Sequence, residues 1–237
     1  MTTTEPGPRQ TVRAGLDAIV RTGVTWGPPR LSRGGLAAAD RAGAGRTSGT
    51  AAVRPAAVLV LFGRRGAADG HGPESVDVLL VERAASLGHH PGQIAFPGGR
   101  LDPEDDGPVG AALREATEET GLDPAGVDVV GTLAGLPLAV SNHVVTPVLA
   151  WWERPSPVGV VDHGECAAVF RVPVSELVDP ENRRLARVTR GGVGLDSPGF
   201  VVGGRIVWGF TGIVLDRVLA GLGWTVPWEP QLLDIPV

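Results

Sequence analysis

Three glutamates at positions i, i+3 and i+4, namely Glu115, Glu118 and Glu119, stand just ahead of a helix-stopping glycine, Gly121. No other feature constrains this chain as strongly. At about 100° per residue the three carboxylates share one side of a helix. Like charges that close repel, so a fold keeps them together only where something positive compensates. Hard divalent cations such as Mg²⁺ take oxygen ligands and are commonly shared with substrate phosphates. The pattern points to a metal site for phosphate chemistry rather than to a solvated acidic helix face.

The helix itself is well specified. Asp106 and Gly107 provide its cap, and Pro108 suits the first helical position, where no N–H partner is lost. Val109, Ala112, Leu113, Ala116 and Thr120 follow a helical apolar stripe. The glutamates are expected to flank that stripe and point into a cleft, outside the packed face. Arg114, one turn before Glu118, is expected to hold the Glu118 carboxylate in one rotamer. Gly98-Gly99 forms a tight loop upstream, and Gly121 supplies a left-handed stop.

The segment running from Gly99 through Asp105 to Arg114-Glu115-Ala116-Thr117-Glu118-Glu119-Thr120-Gly121-Leu122 resembles the signature of the Nudix hydrolases. Asp105 stands where a glutamate is usual, and its spacing to Arg114 is one residue longer than the common form, so the loop must bulge. Further upstream, Leu79-Leu80-Val81-Glu82-Arg83-Ala84, Gly92 and Phe96-Pro97-Gly98-Gly99 resemble the extra motif of the coenzyme A diphosphatase branch. Val81 replaces the usual threonine of that motif, and Gly88 sits where an arginine is expected. His89 and His90 beside it are weaker anion ligands than a guanidinium fork.

The resemblance implies an α/β fold, a Nudix-like α/β/α sandwich with a mixed β-sheet. It implies metal-dependent hydrolysis of the diphosphate of coenzyme A or its derivatives to 3′,5′-ADP and 4′-phosphopantetheine, with Mg²⁺ or Mn²⁺. Glu115, Glu118 and Glu119 are the implied metal ligands, with a backbone carbonyl of Gly98 or Gly99 completing the shell. Glu118, Glu119, Arg114 and Glu165 form the implied catalytic set. Arg114 has an orienting role, and Glu165, in the Asp162-His163-Gly164-Glu165 loop, stands where many Nudix enzymes carry a catalytic or metal-binding glutamate. Arg83, Gly98, Gly99 and Arg100 are expected at the substrate, with Arg64 or Arg65 as further candidates. The plain alternative for Arg83 is a strand-end arginine paired with Glu82 or another acid.

Two other readings compete. Pro137 follows the signature at a distance associated with ADP-ribose hydrolases, which makes ADP-ribose or another nucleoside diphosphate derivative an alternative substrate. NADH lacks a downstream Pro-Trp-Pro-Phe-like segment, and a nucleoside triphosphatase would leave the Arg83-to-Gly99 motif unexplained. Outside catalysis stands a nucleotide-binding module on a Nudix scaffold, against which count all three glutamates and Arg114.

Composition bounds the rest. With 237 residues and 43% hydrophobic content the chain can bury a sizeable core. A net charge of −5, with scattered arginines and no lysine, argues against non-specific nucleic-acid binding. No run approaches the ~20 apolar residues of a membrane helix, and the start shows no leader pattern. One cysteine, Cys166, excludes an internal disulfide, and the expected location is cytoplasmic. The expected partner is a small molecule, with no nucleic acid and no membrane, and a homodimer is the assembly considered.

Residues 1–53 read as a loosely ordered N-terminal extension, with a short helix at 17–20 and Trp26 as an anchor. Residues 54–237 read as the Nudix domain. Strands are expected at 57–62, 76–81, 127–133, 144–152 and 167–172, a helical turn at 174–178, a hairpin across Gly203-Gly204 and a helix at 211–222.

Overall fold

The computed structural model describes residues 11–26, 30–31, 54–66, 72–88, 91–138, 142–190 and 193–236. His89 and His90, read above as weak anion donors, lie outside the described residues.

The centre is an eight-stranded mixed sheet. Its spine is the parallel pair β2 (Arg54–Arg64) and β8 (His143–Trp152), in register from Arg54↔His143 to Gly63↔Trp152. On one side β3 (Val76–Arg83) joins β2 antiparallel and carries β9 (Cys166–Pro173) and the short β4 (Ile94–Ala95). On the other, β6 (Val127–Thr132) and β7 (Leu136–Leu138) pair with β8. β5 (Gly98–Arg100) lies antiparallel on the first half of β2, with Gly98 opposite Val58.

Alternation along β2 decides which helix meets which face, since successive strand side chains point to opposite faces. Ala57, Leu59 and Leu61 turn to one side, where Ala111, Ala112 and Ala116 of helix α2 (Gly107–Thr120) complete a core with Leu79, Leu122 and Val148. Val60 and Phe62 turn to the other, against α1 (Val12–Thr22) and a C-terminal helix, Gly209–Gly221. The sheet is therefore covered by helices on both faces, the α/β architecture expected.

α1 revises the reading of the N-terminal extension. Val12, Leu16 and Ile19 are buried in the same core as Phe62 and Leu149. Thr11 caps the helix by accepting the N–H of Ala14. Arg13 bonds Asp128 at 2.8 Å, and the Trp26 indole donates to the carbonyl of Ala134 at 2.8 Å. Trp26 is an anchor as expected, but the helix is longer than expected and belongs to the core rather than to a loosely docked arm. A single i, i+4, i+7 apolar set among glycines and threonines is a weak periodic signal, and the partner surface that rewards it is remote in sequence.

A second, five-stranded sheet, apart from its hairpin across Gly203-Gly204, also lies beyond the sequence reading. It holds β1 (Arg30–Leu31), β10 (Arg183–Arg190), β11 (Val193–Val202), β12 (Arg205–Val207) and β13 (Leu232–Asp234). β10 and β11 are rich in Arg, Gly, Asp and Pro, so local propensity hides them and long-range pairing makes them. The hairpin at Gly203-Gly204, the turn α3 (Val174–Val178) and the C-terminal helix, α4, occupy the expected places. No helix among the described residues is long and apolar enough to cross a membrane.

Leu16→Ala should test the revised role of α1. Leu16 is fully buried, so its truncation should cost about 3 kcal/mol. A chemical denaturation midpoint unchanged from wild type would show that α1 only rests on the surface.

Candidate active site

The site assembles where β5 crosses the first half of β2 and α2 packs behind it. Gly98 and Gly99 leave room for that crossing. A Cβ on Gly98, whose φ is +153°, would run into the carbonyl of Ala57, and one on Gly99 would run into the Glu115 carboxylate. At Gly98 only hydrogen lets β5 lie flat on β2, whereas a side chain at Gly99 would displace the end of Glu115. α2 ends at Gly121 in the left-handed conformation, as expected, but the Asp106 side chain makes no capping bond at its start.

Arg114 organises the acidic helix. Its Nε donates to Asp105 Oδ1 at 2.9 Å and its Nη2 to Asp105 Oδ2 at 3.0 Å, a bidentate fork. Nη1 reaches Glu115 Oε1 and Glu118 Oε2, both at 3.1 Å, and Nη2 also donates to the carbonyl of Arg100 at 3.1 Å. The Arg114 guanidinium and the Asp102 N–H hold the Asp105 carboxyl below the usual carboxylate range. The predicted Arg114–Glu118 contact is present, but it is one spoke of a larger hub. The longer loop from Asp105 to Arg114 thus brings the aspartate back onto the arginine it precedes, a role that spacing alone does not reveal.

The three glutamates differ in environment. Glu118 is more than half exposed and faces Arg114. Glu115 is largely covered, and burial pushes its carboxyl above the ordinary range, partly offset by Arg114. Glu119 is only 4% exposed and lies in the packed face of α2, not beside it as the apolar stripe suggested. Its Oε2 accepts the Gly98 N–H at 3.0 Å. Burial pushes its carboxyl up to about 7, the Gly98 bond opposes this, Glu115 and Glu165 reinforce it, and Arg83 lowers it.

Two residues remote in sequence therefore converge on Glu119. Glu165 precedes β9, and its backbone carbonyl accepts the N–H of Ala84 at 2.8 Å. Arg83 ends β3 opposite Cys166, and its backbone closes a turn with Gln93 and Gly92 at 3.0 and 3.1 Å. Among the described residues the Arg83 guanidinium has no ion-pair partner, and Glu82, its expected neutraliser, pairs instead with Arg205 at 2.9 Å. Arg64 and Arg65 do not join the site: Arg64 lies six residues beyond Val58 on β2, about 20 Å along the strand. The Arg100 residue is exposed and contributes its carbonyl to Arg114. Cys166 is fully buried, and burial pushes its thiol up to about 11, which leaves it unreactive.

The NUDIX domain family model matches residues 53–190, more than half of the chain. The chain belongs to the Nudix hydrolase family. The Uncharacterized Nudix hydrolase NudL of Yersinia enterocolitica is 33% identical over 144 residues, covering 60% of this chain and 71% of that protein. The NudL of Cronobacter sakazakii is 43% identical over 123 residues, 52% of this chain and 59% of the relative. The chain thus spans 59% of the Cronobacter relative and 71% of the Yersinia one. Among solved structures, the Nudix hydrolase RenU from M. smegmatis is 27% identical with a TM-score of 0.41, covering 51% of this chain and 71% of that one. A C. elegans Ap4A hydrolase binary complex is 22% identical, also at a TM-score of 0.41, covering 53% and 84%.

Family membership implies a divalent cation. The donor chemistry here suits one, because Glu115 and Glu165 are hard oxygen donors whose charges act on a third, the buried Glu119 carboxyl. Among the described residues no three acidic, histidine or cysteine side chains stand together ready to ligate. The reason is visible: Arg114 draws Glu115 and Glu118 towards itself, and the Gly98 N–H holds Glu119. In each of these carboxylates one oxygen takes part in those bonds and the other remains for a cation.

A buried carboxyl raised from an ordinary 4.5 to about 7 fits the native state best while protonated. Its contribution to stability is intact below about 4.5 and is lost as pH rises through about 7. In the metal-free protein the loss should approach about 3 kcal/mol at pH 8. Glu119→Gln, measured with chelator present, should therefore unfold at a higher temperature than wild type at pH 8. Near pH 4.5 the two should match. Equal melting points at both pH values would contradict the burial assigned to Glu119.

Proposed function

We propose that this chain is a metal-dependent diphosphatase that cleaves coenzyme A or a close derivative into 3′,5′-ADP and 4′-phosphopantetheine. The observation that carries this reading is Arg83. It ends the strand bearing the coenzyme A-type motif, acts on the buried Glu119, and has no ion-pair partner among the described residues, Glu82 being paired with Arg205. A guanidinium free of internal pairing beside an acidic helix is suited to a substrate diphosphate.

Water adds to one phosphorus, the bridging P–O bond breaks, and the bridging oxygen leaves with the departing phosphate. Mg²⁺ or Mn²⁺, when bound, acidifies water and neutralises charge on the phosphates. Glu115 and Glu119, with Glu118 at the edge, are the residues that would hold it. Glu165 is the carboxylate available to take the proton from water, since it stands in the loop ahead of β9 and is exposed. Arg83 neutralises the diphosphate, and Gly98 and Gly99 keep the approach to it narrow. Arg114 acts through the carboxylates it holds.

Purified protein incubated with coenzyme A and Mg²⁺ or Mn²⁺ should yield both products, and chelator should abolish them. Glu119→Gln should lower the rate at least 10³-fold, about 4 kcal/mol of transition-state stabilisation. Near-wild-type turnover by that variant under saturating metal would remove Glu119 from the ligand set. AMP and ribose 5-phosphate from ADP-ribose, with coenzyme A untouched, would replace the substrate assignment. Binding without turnover of either would favour a nucleotide-binding module.

A further inference from the structure

The loop that carries Glu165 is tied to the acidic helix through the backbone of Glu119. The Val161 N–H donates to the Glu119 carbonyl at 3.4 Å, and the nearby Gly159 N–H donates to the Thr120 carbonyl at 2.9 Å. The loop thereby takes up two of the carbonyls that α2 leaves without intrahelical partners at its C-terminal end. Asp162 comes next, and the chain turns on it. Its carbonyl accepts the N–H of Glu165 at 3.2 Å and that of Cys166 at 2.9 Å. Its side-chain Oδ1 accepts the Gly164 N–H at 2.7 Å. Three consecutive backbone donors, those of Gly164, Glu165 and Cys166, therefore end on one residue.

Glu165 is held from the other side as well. Its carbonyl accepts the Ala84 N–H at 2.8 Å, and Cys166 opens β9 opposite Arg83. A short path thus joins the main chain of Glu119 to that of Glu165, through the Val161 bond, one peptide link and the turn at Asp162. The charge of Glu165 acts on both Glu119 and Glu115, so the side chain faces the carboxylates of the acidic helix. Among the described residues the Asp162 carboxylate forms no ion pair, and the Gly164 bond is its one hydrogen bond. Asp162, His163, Gly164 and Glu165 are all exposed, so removing that bond leaves both packed cores untouched. What it removes is the constraint on the Gly164 peptide, and with it the fixed direction in which Glu165 leaves the turn. Small displacements of a proton acceptor are costly to a rate even where folding is unaffected.

We propose that Asp162 is a positioning residue that fixes the approach of Glu165 to the acidic helix, an inference that rests on the assignment of Glu165 as the group that takes the proton from water. The Asp162 carboxylate touches neither substrate nor the attacking water, and it acts through the turn alone.

The test measures kcat, KM and the thermal midpoint for wild type, Asp162→Ala, Asp162→Asn, Glu165→Gln and the double variant Asp162→Ala/Glu165→Gln. The substrate is coenzyme A with Mg²⁺, or ADP-ribose where that is the compound cleaved. Asp162→Ala should lower kcat about tenfold, with KM and the midpoint unchanged. Asp162→Asn should keep most of the rate, because its amide oxygen still accepts the Gly164 N–H. In the double variant Asp162→Ala should add no further loss to that of Glu165→Gln, since the turn has nothing left to position. Multiplied losses in the double variant, an equal loss in Asp162→Asn and Asp162→Ala, or full kcat in Asp162→Ala beside an impaired Glu165→Gln would each overturn the role of Asp162 and leave Glu165 as the base. Wild-type kcat in Glu165→Gln would overturn the assignment of Glu165, and this inference with it.

Discussion

The site depends on the Arg114 guanidinium. Five donors of one planar group connect the bulged loop at Asp105, two glutamates of α2 and the end of β5 at the Arg100 carbonyl. Three neighbouring carboxylates would otherwise push the loop and helix apart. A lysine could balance a charge but could not span these directions from one plane. The same hub fixes one oxygen of Glu115 and one of Glu118.

Backbone crowding is the second constraint. β5 can lie on β2 because Gly98 presents no side chain, and that proximity lets the Gly98 N–H reach Glu119. Glu119 thus fills part of the buried face of α2 and carries a carboxyl whose charge burial opposes. Its neighbours on that face are Ala111, Ala112 and Ala116 of the packed core.

The two sheets divide the labour. The larger one holds the catalytic helix, Arg83 and the loop of Glu165. The smaller one docks through α1, α4 and the β12 hairpin, and reaches the motif strand at Glu82 through Arg205. This contact explains why Arg83 is not neutralised by its sequence neighbour, an outcome that the order Glu82-Arg83 by itself would not suggest.

Much of the site was legible because its chemistry is local. Glu115, Glu118, Glu119 and Arg114 lie within two turns of one helix, so helical geometry alone places them together, and Gly121 had to end that helix because only glycine accepts its left-handed turn without strain. The longer strands of the main sheet, β2, β3, β6, β8 and β9, were legible from their apolar runs, whereas the short β4, β5 and β7 were not. The second sheet was not, because β10 and β11 draw their stability from pairing with each other rather than from strand-forming residues. Which glutamate is buried, that Asp105 closes on Arg114, and that Arg205 claims Glu82 were decided only by tertiary structure. Each depends on the distance between groups far apart in the chain, and a sequence records order, not proximity.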